Sequence, residues 1–480
     1  MQAGFFETDI TPAVGMETPG GYGKAYTRAF HDLLKVRAGV LDDGKQRIAL
    51  VGIDTCIVAA RTVNEARAQI EERCGISGSN VMVGASHTHS GGPLFGAFPD
   101  ELDDAPELIR SLVLEHSTCI DMLYHEWTVR QIVTAVCEAD RRREEATVSI
   151  GSGTESVSAF NRRFRMRDGR SVTHPGKGHP DILEPAGPID PEVGVVAARA
   201  TDGRWLGCIV NYACHGTTFG GGCSADWIHY LVETVRNGTN DDAVTVFLNG
   251  ACGDITQVDN QSMREREFGE KWSRHVGTRV GAEVLKVLVT AEPAENAALA
   301  ATVKTLRIPR RPPTPESVEA ATKVVLDGID AERKSGDWTF AKERVVLDYL
   351  VREEPVVDCE IQALQIGPAV FLANPAEYFC QLGLDIKAGT GFPFTYVVEL
   401  ANGGIGYVPN DDAFSEAGGG YETVLTSYSN LVREAGKMIV DASVELAAQL
   451  EPTPVPGADI PAPANPPAVW DYGRRGPELE

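Results

Sequence analysis

Two histidines two residues apart stand in the run Ser86-His87-Thr88-His89-Ser90-Gly91-Gly92-Pro93, just past the apolar stretch from Val81 to Val83. In extended backbone, residues i and i+2 share a face. Both rings therefore leave the carboxyl end of a strand together, with small residues on either side making room for a ligand. Imidazole nitrogen is the commonest nitrogen ligand of zinc-class metals. The alternative is a turn whose histidines are simply hydrogen-bonded polar groups, and the pair alone does not choose.

The elements around the motif supply more. Val36 to Leu41 and Arg47 to Ile53 read as a hairpin about Asp42-Asp43-Gly44. Ala60 to Arg73 has helical spacing, with Gly75 placed to stop it, and Val81 to Gly84 returns as a buried strand. This strand-helix-strand unit delivers His87 and His89 to a strand's carboxyl end, where open α/β sheets bind ligands. Twice more an apolar strand runs into a small polar turn. Trp205 to Ala213 precedes Cys214-His215-Gly216-Thr217, and Val244 to Leu248 precedes Asn249-Gly250-Ala251-Cys252-Gly253-Asp254-Ile255-Thr256.

Further along, Pro106 to Arg143 reads as helix broken near Ser117, Thr147 to Gly151 as a short strand, and 161 to 191 as a long aperiodic loop rich in Gly, Pro, His and Arg. Glu265 to Val289 is expected to be helical. Leu299 to Ile308 is a strand, and Pro309-Arg310-Arg311-Pro312-Pro313 is a stiff connector at which a subdomain could begin. Helices are expected over Thr314 to Lys334, Phe340 to Val351 and Thr423 to Leu450, with a further helix opened by Pro375-Ala376-Glu377. Strands are expected over Val356 to Ile366, Ala369 to Ala373 and Tyr396 to Leu400. The resulting expectation is an α/β fold, a mixed central sheet with flanking helices, over residues 1 to 450. A tail dominated by Pro, Ala and Gly, 451 to 480, cannot fold by itself, although Trp470 and Tyr472 could anchor it.

The chain has 480 residues, 43% hydrophobic, enough for a large core. A net charge of -24 speaks against nucleic acid and anionic membrane surfaces as partners. Arg162, Arg163, Arg165 and Arg167 make the only basic group near a candidate site. No basic-then-apolar leader and no stretch of about 20 apolar residues is present, so a cytoplasmic protein without stable membrane association is expected. The ten cysteines form no CxxC pair and fit free thiols in a reducing compartment. Cys214, Cys223 and Cys252 lie near the motifs, as packing residues or as soft ligands.

Taken in order, Asp9-Ile10-Thr11-Pro12, Gly21-Tyr22, the His87/His89 motif, Asn161-Arg162-Arg163, His215-Gly216-Thr217, Ser224-Ala225-Asp226, Asn249 to Asp254, Pro375-Ala376-Glu377 and Gly406-Tyr407-Val408 resemble the amino-terminal catalytic domain of the neutral, non-lysosomal ceramidase family. That resemblance implies one zinc per chain held by His87, His215, Glu377 and Tyr407. Two imidazoles and a carboxylate make a common catalytic zinc set, with a place left for a water whose pKa the metal lowers toward ~7. Tyr407 is otherwise a buried tyrosine with a hydrogen-bonded hydroxyl. His89 would stand beside the metal and exchange a proton with the attacking water. Tyr421 resembles the family's second active-site tyrosine, to stabilise the oxyanion or protonate the leaving group, or is a packed aromatic. Asp254 would help move protons. Arg162 or Arg163 would bind substrate carboxylate or hydroxyls, unless they are ordinary exposed arginines.

The sequence departs from the family at two places. Thr256 stands where family members carry a serine that acts on the amide, and Gln257 stands where a proline is expected. Family members continue into a further β-sandwich domain where this sequence runs into the Pro-rich tail, and no amphipathic interfacial helix is visible. A ceramidase-like scaffold hydrolysing a linear amide of a small soluble substrate is therefore expected. Zinc-dependent cleavage of a carbohydrate or sugar-acid derivative, and a non-catalytic metal-stabilised binding protein, are the alternatives. A homo-oligomer is left open.

Overall fold

The hairpin expected at Asp42-Asp43-Gly44 forms, with Lys35–Asp42 antiparallel to Arg47–Ile53 and Asp42 opposite Arg47. In this computed structural model the described residues are 1–455 except 22, 240–241 and 295–296, together with 473 and 475–479. Tyr22, Trp470 and Tyr472 lie outside them. After the hairpin, the helix Ala60–Cys74 ends at Gly75, whose left-handed φ of 67° closes its last turn. The chain then returns as Val81–Ala85, parallel to Arg47–Ile53.

These strands form one edge of a large sheet. Its order runs Val244–Asn249, Trp205–Tyr212, Glu192–Ala200, Glu144–Thr154, Gln2–Asp9, Lys35–Asp42, Arg47–Ile53, Val81–Ala85. The neighbours at each end are parallel and the middle is antiparallel, so the sheet is mixed as expected. A second sheet runs Leu299–Pro309, Val356–Ile366, Ala369–Ala373, Phe394–Val398. Leu50, Met82, Val246 and Leu248 of the first sheet share one buried apolar cluster with Leu364, Phe371, Tyr396 and Val398 of the second. Helices cover the outer faces: Ala60–Cys74 and Met122–Arg141 on one part of the first sheet, Trp227–Gly238 and Glu270–Thr290 on another, and Cys380–Gly389 with Ala435–Ala447 on the second. Strands such as Arg47–Ile53 are consequently buried on both faces and read as continuous apolar runs.

Several expectations are corrected. The 161 to 191 stretch is a small sheet of Arg163–Met166 with Ser171–Thr173 and Ile182–Pro185, held by paired backbones rather than by apolar periodicity. Glu377 opens no helix. Glu377–Tyr378 is a two-residue strand parallel to Tyr407–Val408, and the helix starts at Cys380. The long helix expected from Thr423 is confined to Ala435–Ala447, because the Ser and Asn side chains before it bond locally, as Asn430 does to the Thr426 and Ser427 carbonyls. Gln2–Asp9 and Glu192–Ala200 are strands that the sequence pattern did not announce. The connector at 309–313 leads into a helical hairpin, Pro315–Gly328 and Gly336–Glu353, whose far end returns as Val356–Ile366 beside the strand it left. The hairpin packs Val325 and Trp338 against Leu112 and Val113. No helix among the described residues is long and apolar enough to cross a membrane.

Candidate metal centre

Strand ends from both sheets meet at one place, and backbone bonds lace them together. Ser86 N–H donates to the Ile53 carbonyl, Gly250 N–H to Tyr212, Glu399 N–H to Asn249 and Asn374 N–H to Val398. Asn249, fully buried, donates through its side chain to the carbonyls of Ser86 and Cys214, tying the turn of His87 to that of His215. His89 N–H donates to the Gly216 carbonyl. Gly216 has no alternative there, since a Cβ would lie 2.9 Å from the His87 carbonyl oxygen.

His87 itself has φ 62°. A left-handed non-glycine residue costs on the order of 1 kcal/mol and persists where its surroundings impose it. The motif is thus a turn and not extended backbone, yet the rings converge: His87 Nε2 and His89 Nε2 lie 3.3 Å apart. Each ring's other nitrogen meets a carbonyl, His87 Nδ1 that of Cys56 at 2.8 Å and His89 Nδ1 that of Gly20 at 2.8 Å. A carbonyl only accepts, so both rings carry a proton on Nδ1.

Glu377 enters beside Tyr407 through their paired two-residue strands. Its Oε2 lies 3.4 Å from His87 Nε2 and 3.9 Å from His215 Nε2. That oxygen is buried and takes no hydrogen bond among the described residues. An orphaned carboxylate oxygen facing two imidazole nitrogens is poorly satisfied unless a cation stands between them. Ligand atoms about 2.1 Å from a tetrahedral zinc lie roughly 3.4 Å from one another, close to these spacings. His87, His215 and Glu377, all buried, are one of two His/Cys/Asp/Glu groupings with metal-compatible spacing among the described residues; the other is Cys56 with His87 and His89. The donor set therefore fits zinc.

The charges agree. Burial opposes a cation on His87, but Cys56 and Glu377 outweigh it and raise its pKa well above the usual imidazole value. Burial likewise opposes the Glu377 anion, and His87 and Tyr407 overcome it, lowering its pKa. Cys56, despite burial, is drawn down to about 6 by His89 and His87. His215 goes the other way: burial, then Arg162, hold it neutral. Burial and Glu377 keep Tyr407 a phenol.

Arg162 lies between the short strands Phe160–Asn161 and Arg163–Met166, and it and Arg163 reach different partners. Buried Arg162 pairs with Glu422 at 3.0 Å and donates to the Gly253 carbonyl, the Tyr407 hydroxyl and His215 Nε2. Arg163 donates to the Gly419 carbonyl, with its guanidinium 5.2 Å from the Phe379 ring centre. The Tyr421 hydroxyl is 3.1 Å from that of Tyr407. Asp254 has both oxygens engaged, Oδ1 by the Cys380 N–H and Oδ2 by Asn161, and its carbonyl accepts from Arg162 N–H. Thr256 Oγ1 donates to Gln257 Oε1 at 3.0 Å.

Sequence reasoning did not find His174, Cys56 or Glu399. His174 is left-handed, φ 50°, accepts from Asn260 at Nδ1, and is pulled down to about 4 by burial and by Arg162. Glu399 is a fully buried acid at the end of an apolar strand, and a carboxylate there is the one signal the sequence carried. Two surface cavities, of about 470 and 610 Å³, are lined by none of the cluster residues.

No family model matches the chain, and no curated protein matches it. Solved structures do, among them one of the neutral ceramidase from Pseudomonas aeruginosa and one of a ceramidase complexed with C2. Each is 19% identical, aligns over 95% of this chain and 76% of its own, and superposes with a TM-score of 0.66. The chain has a neutral ceramidase-like fold.

Proposed function

We propose that this chain is a zinc-dependent hydrolase that cleaves a linear amide of a small polar substrate. The observation that carries the reading is the buried Oε2 of Glu377, which takes no hydrogen bond among the described residues and stands between the Nε2 atoms of His87 and His215. The fold shared with ceramidases supports the amide. His87, His215, Glu377 and Tyr407 are the proposed ligands, and a zinc ion held there supplies a Lewis acid for the amide carbonyl and acidifies water.

The chain's own groups do the rest. The His89 Nδ1–H is fixed on Gly20, so the lone pair of the neutral ring lies on Nε2, where it can take a proton from the attacking water and return it to the leaving nitrogen. The Tyr421 hydroxyl, beside Tyr407, donates to the carbonyl oxygen as charge grows on it. Arg162, held by Glu422, keeps His215 neutral and orients Tyr407. Asp254 braces the Arg162 strand instead of moving protons, since both its oxygens are engaged. Thr256 is given a positional role through Gln257.

The polar groups around Arg162, namely Glu422 and His174, the latter bonded in turn to Asn260, favour a hydrophilic substrate over acyl chains. The saccharide reading needs a guanidinium for a carboxylate; Arg162 is taken up by Glu422, which leaves Arg163, held by one bond to the Gly419 carbonyl, as its remaining candidate. Ten free cysteines support a reducing compartment.

Metal analysis joined to an assay over N-acyl compounds and uronate-containing saccharides tests this. One zinc per chain, amide turnover, and loss of both in His87→Ala are expected. Turnover of saccharides alone, or amide turnover that survives zinc removal, would overturn it.

A further inference from the structure

His215 is braced unlike the other two site histidines. Its Nδ1 faces the sulfur of Cys252 at 3.4 Å. That sulfur lies 2.8 Å from Oε1 of Glu399, and Oε2 of Glu399 accepts the backbone N–H groups of Cys252 at 2.9 Å and of Tyr378 at 2.8 Å. Glu399 has no exposed surface. A carboxylate so placed is tolerated only because donors surround it, and here they come from the turn behind His215 and from the residue after Glu377.

The direction of donation follows from what each group can do. Above about pH 7, where Glu399 is ionised, its oxygens only accept, so the thiol proton goes to Glu399. The sulfur is then left as acceptor, and the proton between it and the ring belongs to His215 Nδ1. From the opposite side, Arg162 Nη1–H points at His215 Nε2 at 3.1 Å, and a guanidinium has no acceptor to offer. Both ends assign the same tautomer, with the proton on Nδ1 and the lone pair on Nε2; Arg162 holds that lone pair in the free protein and gives it up when an ion takes its place.

We propose that Cys252 and Glu399 are positioning residues for the metal: the thiol, backed by the buried carboxylate, holds the His215 ring by its Nδ1–H and aims its Nε2 lone pair at the ion. This rests on the zinc site proposed above. Metal-bound histidines commonly lean on a carboxylate, and losing such a partner typically costs about 10- to 100-fold in metal affinity. Here a thiol is interposed, so one buried carboxylate can stand behind two ligand-bearing turns, reaching His215 through sulfur and the Glu377 turn through the Tyr378 amide.

The test uses full-length protein labelled with 15N-histidine, with His215→Asn to assign the ring. Because Arg162 constrains Nε2 in every variant, the readout is the Nδ1–H proton itself, observed in metal-free protein, together with zinc affinity by chelator competition. Wild type is expected to show a slowly exchanging Nδ1–H. Cys252→Ala is expected to lose that protection and bind zinc about 10- to 100-fold more weakly. Cys252→Ser, which keeps a donor and an acceptor, is expected to stay within about threefold of wild type. Glu399→Gln, which still accepts the two amides but no longer accepts the thiol proton on an anion, should behave as Cys252→Ala does, and serves if Cys252→Ala fails to fold. Retained Nδ1–H protection and zinc affinity in folded Cys252→Ala or Glu399→Gln would overturn the proposal, showing that backbone alone holds the ring. Were wild type to bind no zinc, the metal reading would fall, while the Nδ1–H measurement would still decide the relay.

Discussion

The His87 turn and the His215 turn deliver the same kind of atom to the same pocket by different means. His87 is held through Nδ1 by a backbone carbonyl in a left-handed turn, and the neighbouring Cys56 and Glu377 favour its cation despite burial. His215 is held through Nδ1 by a side-chain thiol, and burial with Arg162 favours its neutral form. A backbone brace belongs to the fold and survives most substitutions around it. A side-chain brace is written in particular residues and can be removed one residue at a time, so the two turns should respond unequally to mutation.

The largest effect is expected where the turns stop being different, at the oxygen both rings face. Glu377→Ala should weaken zinc binding by roughly a thousandfold or more, beyond the loss of any supporting partner, as read by equilibrium dialysis. A result within tenfold of wild type would mean that the rings hold the ion without Glu377.

Next comes the ion pair on the His215 side. Glu422→Ala leaves the buried Arg162 guanidinium without its carboxylate, and should cost about 3–5 kcal/mol of stability in denaturant unfolding. Cys56→Ala on the His87 side removes one charge partner of the ring but leaves Glu377 beside it, and should cost less.

The third effect sharpens the contrast through pH. Burial lifts Glu399 from the ordinary 4.5 to about 7, against the pull of His87 and the Cys252 thiol and amide. The folded state therefore keeps a proton that the unfolded chain releases. Its contribution is fully present below about pH 4.5 and is lost as pH rises through about 7. Wild-type stability relative to Glu399→Gln should fall by on the order of 3 kcal/mol across that window. A difference that stays flat with pH would place Glu399 in a more polar setting than the structure gives it.

Much of this pocket was legible in the sequence because polar turns follow apolar runs: Ser86 to Pro93, Cys214 to Thr217 and Asn249 to Thr256 each sit at a strand's carboxyl end. What escaped was non-local or too short to carry a period. Glu377 and Tyr407 meet through strands of two residues each, which no alternation of two can announce, so a helix was expected instead. The strand Glu192–Ala200 is buried on nearly its whole length and lacks the alternation of a half-exposed strand. Asp254 reads as a proton carrier by its neighbours in sequence, yet its oxygens are taken by Asn161 and Cys380, residues distant along the chain.

The smallest expected effect is Cys56→Ala on metal binding. His87 donates to the Cys56 carbonyl, which alanine keeps, and the sulfur is farther away at 3.9 Å. Zinc affinity should change less than about threefold, against the larger loss expected for Cys252→Ala. Equal losses would erase the distinction between the two turns.

The most direct test is anomalous diffraction at the zinc edge from crystals grown with zinc. The account predicts a single strong peak per chain within about 2.3 Å of His87 Nε2, His215 Nε2 and an oxygen of Glu377. A peak bonded elsewhere, or none among these three side chains, would contradict it.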